Sequence, residues 1–195
     1  MKTHRDYLQS MFTAEGDRKY VTSKETRRFL RCAKTEDPEK YLLCMLLAYT
    51  GCRVSEAVKL TTRSLDFETK SIIFLTLKQR SVCRYRQVPV PPFLLKKLLL
   101  QAAKQSGNRI WHLHRVSAYR WVHEIMGKAD LYGVKASPKG LRHGFAISCL
   151  EENVPFPLVS KWLGHASLRT TAIYSEFLIG SQTKFAERRW SVIET

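Results

Sequence analysis

The chain has 195 residues, of which 44% are hydrophobic and 26% charged, so its composition excludes a disordered protein and indicates a globular one. Its 33 lysines and arginines exceed its 17 acidic residues, which gives a formal net charge of +16 at pH 7. Because folding does not require this self-repelling excess, it indicates a polyanionic partner such as nucleic acid or an anionic membrane surface.

A membrane-spanning protein is disfavoured by the shortness of the apolar segments. The longest nearly apolar stretch, 41–52, is well below the roughly 20 residues that a bilayer-spanning helix needs. The N-terminus, MKTHRDYLQS, lacks the apolar centre of a signal peptide. The five cysteines are odd in number, scattered and without a CxxC pair, which predicts reduced thiols. We therefore expect a cytoplasmic protein.

The first half of the chain predicts helices followed by a small sheet. Residues 1–20 are polar and mixed, and they predict an N-terminal arm or a short helix. Thr22 and Glu25 have the spacing of a capping box, and Asp37-Pro38 has the form of a second helix start. The elements predicted up to residue 90 are helices 22–34, 39–49 and 54–60, then strands 64–67, 71–77 and 84–90.

The second half predicts helices alone. Pro91-Pro92 and Ser137-Pro138 are helix starts, and Leu163-Gly164 is a helix end. The predicted helices are 93–105, 117–130, 138–152, a short one ending at 163, 168–177 and 182–190. The fold class is thus mainly α with a small three-stranded antiparallel sheet (α+β). Its expected organisation is an arm (1–20), one main domain (21–180) and a C-terminal tail helix (181–195).

Several kinds of chemistry lack their sequence signals. His112 and His114 share a WHLH run and would point to one side of a strand, but no nearby carboxylate or cysteine completes a metal site. The chain has no GxxxxGK[ST], GxGxxG or GxSxG motif. We therefore expect neither a metal nor a cofactor, and no nucleotide hydrolysis.

Two arginines lie beside apolar helix residues, where burial of a positive charge is unfavourable. Arg53 follows a buried helix directly after Gly51-Cys52, and Arg142 lies in the first turns of a helix beside Leu141. A buried arginine is either paired within the protein or aimed at a bound anion. Glu56, three residues after Arg53, lies on the same helical face and could form an internal ion pair that orients it.

The segments TGCRVSEAVKL and SPKGLRHGFAISCLEENVPFPLVSKWLGHASLRTTAIYSEF resemble two boxes of the tyrosine recombinases, or phage-type integrases. The first resembles T-G-x-R-x-x-E, and the second resembles H-x-L-R-H … L-G-H … T … Y. The boxes stand in the family's order with a predicted sheet between them, and the resemblance spans roughly residues 20–180. It implies the catalytic-domain fold of that family.

The resemblance assigns roles residue by residue. It makes Tyr174 the nucleophile and matches the other catalytic positions to Arg53, Lys78, Lys139, Arg142 and His165, with Glu56 in support. Lys78 matches a lysine in a hairpin turn, a task that Arg80 or Arg84 could share. Lys139 replaces the family's usual histidine; a charged lysine can contact phosphate but cannot accept a proton, so either its pKa is lowered or another group transfers the proton. Candidate contacts to the DNA backbone are Arg80, Arg84, Arg86 and Lys161.

The implied activity is site-specific DNA recombination through a 3′-phosphotyrosyl intermediate, without metal or ATP. Two alternatives remain: a DNA-binding regulator that kept the fold without catalysis, and a type IB topoisomerase, which the LGH box disfavours. The implied partner is double-stranded DNA with paired half-sites, bound by a protein that is monomeric in solution, dimeric per site and tetrameric in the synapse. A nucleoid-associated protein of prokaryotic, phage or plasmid origin fits this activity. The family's N-terminal DNA-clamping domain is either naturally absent or was removed.

Overall fold

The computed structural model describes residues 11–76, 84–165, 171, 173 and 174. Within these ranges the longer helices are α1 (Ser23–Ala33), α2 (Pro38–Thr50), α3 (Val54–Ala57), α4 (Pro92–Ala102), α5 (Arg115–Lys128), α6 (Pro138–Glu151) and α7 (Phe156–Leu163). The strands are β1 (Leu65–Asp66), β2 (Ser71–Thr76) and β3 (Arg84–Pro89), inserted between α3 and α4. The predicted class, mainly helical with a small antiparallel sheet, is confirmed.

The helix starts and ends follow from local chemistry. The Thr22 side chain accepts a hydrogen bond from the Glu25 backbone N–H, and the Glu25 carboxylate accepts one from the Thr22 N–H, which completes the predicted capping box of α1. Asp37 caps α2 in front of Pro38. Gly51 ends α2 with a φ of 58°, a left-handed conformation that glycine adopts without a steric cost.

The sheet has the order β1-β2-β3, and both pairings are antiparallel. Residues Arg86 and Val88 of β3 pair with Phe74 and Ile72 of β2. These four side chains are buried, whereas Tyr85 and Gln87 are exposed, so β3 alternates between a core face and a solvent face.

Some predicted boundaries were wrong. The α5 helix begins at Arg115 rather than 117, because the His114 side chain accepts a hydrogen bond from the Val116 N–H and caps the helix earlier. The α4 helix ends at Ala102, short of the predicted 105. The predicted helices 168–177 and 182–190 lie largely or wholly outside the described residues.

Buried apolar side chains form two clusters. The larger one surrounds α2, which is buried along most of its length, and includes Trp111, whose indole N–H donates to the Ala57 carbonyl. The smaller one joins the later turns of α6 to α7, and contains Met11 and Tyr174. Because Met11 is part of this cluster and Phe12 and Tyr20 pack against it, the segment 11–20 packs against the domain. The rest of the predicted arm lies outside the described part.

A close approach of backbone to α6 fixes the start of that helix. The Val21 N–H donates to the Gly140 carbonyl at 3.1 Å. A Cβ on Gly144 would collide with the Val21 carbonyl oxygen, so this position requires glycine. The α6 helix carries several predicted catalytic residues, and this contact therefore joins their helix to the segment that leads into α1.

Of the cysteines in the described ranges, Cys44 and Cys52 are buried free thiols, and Cys32 and Cys149 are free and partly buried. No helix within those ranges is long and apolar enough to cross a membrane.

Candidate active site

Arg142 connects three separate parts of the fold. It lies in α6 and is 8% exposed. Its Nη1 donates to the Gly51 carbonyl at 2.7 Å, and its Nη2 donates to the Leu163 carbonyl at 2.6 Å. The end of α2 and the end of α7 are thereby held by one guanidinium. Each terminal nitrogen retains a second N–H, so the side chain can still donate to an anion.

Arg53 is the more accessible arginine. It is the residue before α3, its side chain is 40% exposed, and its Nη1 lies 3.0 Å from Glu56 Oε1. The predicted Arg53–Glu56 contact is thus present. Because the pair leaves much of the guanidinium exposed, the internal ion pair is compatible with donation from Arg53 to an anion.

Arg86 is not the solvent-facing phosphate contact that was predicted. Its side chain is 4% exposed and forms a two-point ion pair with Glu56, with distances of 3.1 Å and 2.6 Å. Its Nε donates to the Trp162 carbonyl at 2.7 Å, and its guanidinium lies over the Phe74 ring. The reason is the alternation of β3, which turns Arg86 to the core face. Arg86 therefore supports the site from behind.

Tyr174 lies among buried side chains with its hydroxyl bonded to a histidine. Only 1% of the residue is exposed, and its hydroxyl oxygen is 2.7 Å from His143 Nδ1. The His165 ring stacks on the Tyr174 ring with 11° between the planes. His165 Nδ1 is in turn 2.7 Å from the buried Thr171 hydroxyl. The tyrosine is therefore held by two rings from two segments.

These residues share one cavity of about 440 Å³. Of the residues assigned by the resemblance, the cavity wall contains Arg53, Lys139, Arg142, His165 and Tyr174. His143, Arg115 and Tyr119 also line it. Five predicted catalytic residues from distant parts of the sequence thus meet at one opening.

The positive charge at the cavity favours binding of an anion. In the absence of an anion, the Tyr174 phenol is protonated. Burial lowers the pKa of Arg142 to about 10, with the neighbouring Arg53 charge adding to it, so the guanidinium stays charged at pH 7. Burial raises the pKa of the Tyr174 phenol to about 12, although Arg142 and Arg53 oppose that shift. Burial and the same two arginines lower the pKa of His165 to about 3. The guanidiniums of Arg53 and Arg142 therefore both place positive charge at the cavity wall.

Other predicted residues lie elsewhere. Lys78 and Arg80 fall in 77–83, outside the described residues, and only the backbone of Arg84 is described, as the first residue of β3. Lys161 is exposed on α7. Within the described ranges, no group of three or more His, Cys, Asp or Glu side chains could hold a metal ion.

Among the cavity residues that the sequence reasoning did not assign are His143, Arg115 and Tyr119. His143 directly follows Arg142 in the LRH element that carried the resemblance, so its position was visible although its role was not. Arg115 and Tyr119 are four residues apart at the start of α5, a spacing that puts them on one helical face. Only the packing of α5 beside α6 shows that this face borders the cavity.

Residues 19–178 of the chain match the family model described as "Phage integrase family". Tyrosine recombinase XerA of Pyrococcus furiosus is 28% identical over 187 residues, which cover 90% of this chain and 63% of that protein. A tyrosine recombinase of Thermosipho africanus is 31% identical over 148 residues, which cover 72% of this chain and 50% of the relative. The chain thus spans about half to three-fifths of the length of these relatives.

Solved structures share the fold. XerH recombinase bound to its difH substrate matches with a TM-score of 0.70 and 25% identity, covering 80% of this chain and 50% of that one. The catalytic domain of bacteriophage HP1 integrase matches with a TM-score of 0.68 and 21% identity, covering 87% of this chain and 93% of that one. With the family model spanning most of the sequence, the chain belongs to the phage integrase family and its relatives are tyrosine recombinases.

Proposed function

We propose that this chain is the catalytic part of a site-specific recombinase that cleaves and rejoins DNA strands. The observation that carries the proposal is the meeting of Arg53, Arg142, His165 and Tyr174 at one cavity. In the proposed step the Tyr174 phenol oxygen attacks a DNA phosphorus. A 3′-phosphotyrosyl bond forms, and the bond to the 5′ oxygen breaks.

The arginines supply most of the electrostatic stabilisation in this proposal. A phosphodiester repels a nucleophile, and its negative charge grows at the non-bridging oxygens in the transition state. Two guanidiniums already fixed in place stabilise that charge without reorganising. His165 and Lys139 extend the same polar wall, and Lys139 acts as a point charge on phosphate. By analogy with an oxyanion-hole donor, losing one arginine raises the barrier by about 3 kcal/mol or more.

The departing 5′ oxygen needs a proton, which we assign to Lys78. This assignment comes from the family resemblance, because Lys78 lies outside the described residues. The phosphotyrosyl bond conserves the energy of the broken phosphodiester, so rejoining consumes no nucleotide. Arg80 and Arg84, in and beside the same turn, remain proposed DNA-backbone contacts, as does the exposed Lys161 on α7.

The proposed partner is double-stranded DNA with paired half-sites. A crystal structure of XerH contains its difH substrate, and a structure of Tn1549 integrase contains transposon right end DNA, which supports a DNA substrate for the present chain. A net charge of +16 favours a monomer in solution that assembles once DNA neutralises it. We propose two protomers per site and four per synapse, with the 181–195 tail coupling neighbouring protomers.

Integration, excision, inversion and resolution all use this cleavage and rejoining chemistry. The proposed place of action is prokaryotic, phage or plasmid DNA in the cytoplasm.

The proposal is tested by trapping covalent protein–DNA adducts. The probe is a pool of nicked duplexes with a randomised sequence, in which a short cleaved fragment diffuses away and prevents rejoining. Adducts recovered on a denaturing gel are sequenced, and the enriched duplex is then given to wild type and to Tyr174→Phe. We expect an adduct with wild type and none with Tyr174→Phe, because the phenylalanine lacks the nucleophilic oxygen.

Native gel shifts with the same duplex serve as the control. Both proteins should bind it about equally, since the hydroxyl of Tyr174 is directed to His143 within the protein. An adduct in Tyr174→Phe would mean that another residue is the nucleophile. If wild type forms no adduct, duplexes are instead selected from the same pool by native gel shift, and specific binding without cleavage would support the DNA-binding regulator.

A further inference from the structure

We propose that His143 is a further catalytic residue, the group that accepts the Tyr174 proton when the phenol oxygen attacks phosphorus. This inference rests on the proposed function and deepens it at one atom. The resemblance assigns no role to His143. The position where the family usually has a histidine is Lys139, which cannot accept a proton while charged.

The geometry meets the requirement for a general base. His143 Nδ1 is 2.7 Å from the Tyr174 hydroxyl oxygen, within the range in which a proton can transfer directly. His143 follows Lys139 by four residues on α6, so the two side chains lie on the same helical face, one turn apart. Both line the cavity. His143 thus supplies an imidazole one helical turn after Lys139, the position where the family usually has a histidine.

The protonation state of the free protein also suits this role. Burial lowers the pKa of His143 to about 4, and the charges of Lys139 and Arg142 on its own helix and of Lys19 on the N-terminal segment act in the same direction. The other titratable groups beside it are Tyr174 and His165, across the cavity. The imidazole is therefore neutral at pH 7. Since a protonated phenol donates, Nδ1 is the acceptor and the ring proton resides on Nε2.

Arrival of DNA makes the proton transfer easier. Arg142 and Lys139, two of the cations that disfavour an imidazolium at His143, are also proposed to bind the phosphate. A phosphate bound by Arg142 and Lys139 neutralises part of their positive field, so the basicity of His143 rises at the moment when the nucleophile is needed. In the absence of DNA the phenol keeps its proton, since burial raises its pKa to about 12.

Every proton has a destination in both directions. On cleavage, the Tyr174 proton moves to His143 Nδ1, the Tyr174 O–P bond forms, the bond from phosphorus to the 5′ oxygen breaks, and that oxygen takes a proton from Lys78. On rejoining, the incoming 5′-hydroxyl gives its proton to the Lys78 amine and attacks phosphorus. Tyr174 leaves and recovers its proton from His143.

The first test compares His143→Asn with His143→Ala on the enriched suicide duplex. Asparagine keeps a hydrogen-bond acceptor near the position of Nδ1, but it cannot hold a proton at neutral pH. We expect both variants to lose about 10²–10⁴-fold in adduct formation, the usual contribution of a general base. Wild-type rates with Asn alone would assign a positioning role, and faster cleavage by either variant would make His143 a restraint on Tyr174; both results would overturn the proposal.

The pH profile separates a base from a structural support. Between pH 6 and 9 the wild-type rate should change little, because the imidazole is already neutral. In His143→Asn the residual rate should rise about tenfold per pH unit, since hydroxide must then remove the phenol proton. A parallel profile for the two proteins contradicts the role of His143 as the proton acceptor.

A chemical rescue identifies which proton is involved. A ring-fluorinated tyrosine at 174 has a more acidic phenol and should recover much of the loss in His143→Asn, but little of the loss in Arg53→Ala. A duplex with sulfur in place of the scissile 5′ oxygen has a leaving group that needs no acid. It should rescue Lys78→Ala and leave His143→Asn slow. Rescue of His143→Asn by sulfur would reassign His143 as the leaving-group acid.

The failures of the two proposals are distinguishable. If wild type itself forms no adduct on any duplex, the proposed function fails. If wild type forms an adduct and His143→Asn matches it in rate and pH profile, only the role of His143 fails. Thermal unfolding of each variant excludes loss of fold as the cause of a slow rate.

Discussion

The two arginines of the cavity differ in how firmly the fold holds them. Arg142 is buried and donates hydrogen bonds to the carbonyls of Gly51 and Leu163. The Arg53 side chain is 40% exposed and forms an ion pair with Glu56, which also forms an ion pair with Arg86. Replacing Arg142 with alanine leaves these two carbonyls without the hydrogen bonds that Arg142 donates. Each buried acceptor left without its donor lowers the free energy of unfolding by roughly 1–3 kcal/mol. Replacing Arg53 removes a partly exposed ion pair, which contributes about 0–1 kcal/mol.

We therefore predict that Arg142→Ala lowers the free energy of unfolding by about 3 kcal/mol, while Arg53→Ala changes it by less than about 1 kcal/mol. Both variants should lose roughly 100-fold or more in adduct formation, because each removes a donor to the transition state. Urea unfolding and the suicide-duplex assay provide the two readouts. Equal stability losses for the two variants would contradict the structural role assigned to Arg142.

At the scale of residues, the sequence predicted which side chains meet at the cavity better than it predicted which side chains are buried. Arg53, Arg142, His165 and Tyr174 stand in distinctive motifs, and the structure brings them to one cavity. Arg86 was misjudged because composition cannot distinguish a buried arginine from an exposed one. Its strand did carry the signal: positions 86, 88 and 90 alternate with 85, 87 and 89, and the two valines mark the core face.

At the scale of elements, the buried Glu56–Arg86 pair joins the sheet to the helices of the site. Arg86 on β3 connects Glu56 of α3, which orients Arg53, with the Trp162 carbonyl of α7, three residues before His165. Burial pushes the pKa of Glu56 up, but the hydrogen bonds and charge of Arg86 outweigh it and hold the pKa below its usual range. The carboxylate therefore contributes stability at neutral pH that is lost as the pH falls below the ordinary carboxyl range.

We predict that Arg86→Met lowers the free energy of unfolding by about 3–5 kcal/mol at pH 7, since Glu56 then keeps a buried charge without its main partner. Without Arg86 the pKa of Glu56 should rise, so the loss should shrink at pH 4, where the carboxyl can protonate. Urea unfolding at both pH values measures this. The matched control is Gln87→Ala, on the solvent face of the same strand, which should change stability by about 0.5 kcal/mol or less. A loss independent of pH would show that packing, not charge, is the contribution of Arg86.

Helix starts were predictable wherever a cap and a proline coincided, as at Asp37-Pro38 and Ser137-Pro138. Such signals are local and act within one turn of the chain. The bonds from Arg142 to Gly51 and to Leu163 join residues far apart in sequence, and no local pattern encodes them. The docking of α5 beside α6, which adds Arg115 and Tyr119 to the cavity, was hidden for the same reason.

At the scale of the whole molecule, the charge of +16 was the earliest functional signal, yet composition does not say where DNA lies. The cavity provides that direction. Arg115, at the start of α5, lies at its wall and is exposed. Lys97 is also exposed, but it lies on α4, which contributes no lining residue among the described ones. The two cations are equal in charge and differ in whether they border the proposed DNA path.

We predict that Arg115→Ala weakens binding to the enriched duplex and reduces the slope of log affinity against log salt by about 1, whereas Lys97→Ala leaves both nearly unchanged. Each phosphate neutralised by the protein releases condensed counter-ions, and each contact contributes about 0.9 to that slope on duplex DNA. Fluorescence anisotropy across a salt series measures the slopes. Equal slopes for both variants and wild type would mean that DNA does not pass over α5. A reduced slope for Lys97→Ala alone would place the DNA across α4 and away from the cavity, which would also remove the electrostatic basis for phosphate binding by Arg53 and Arg142.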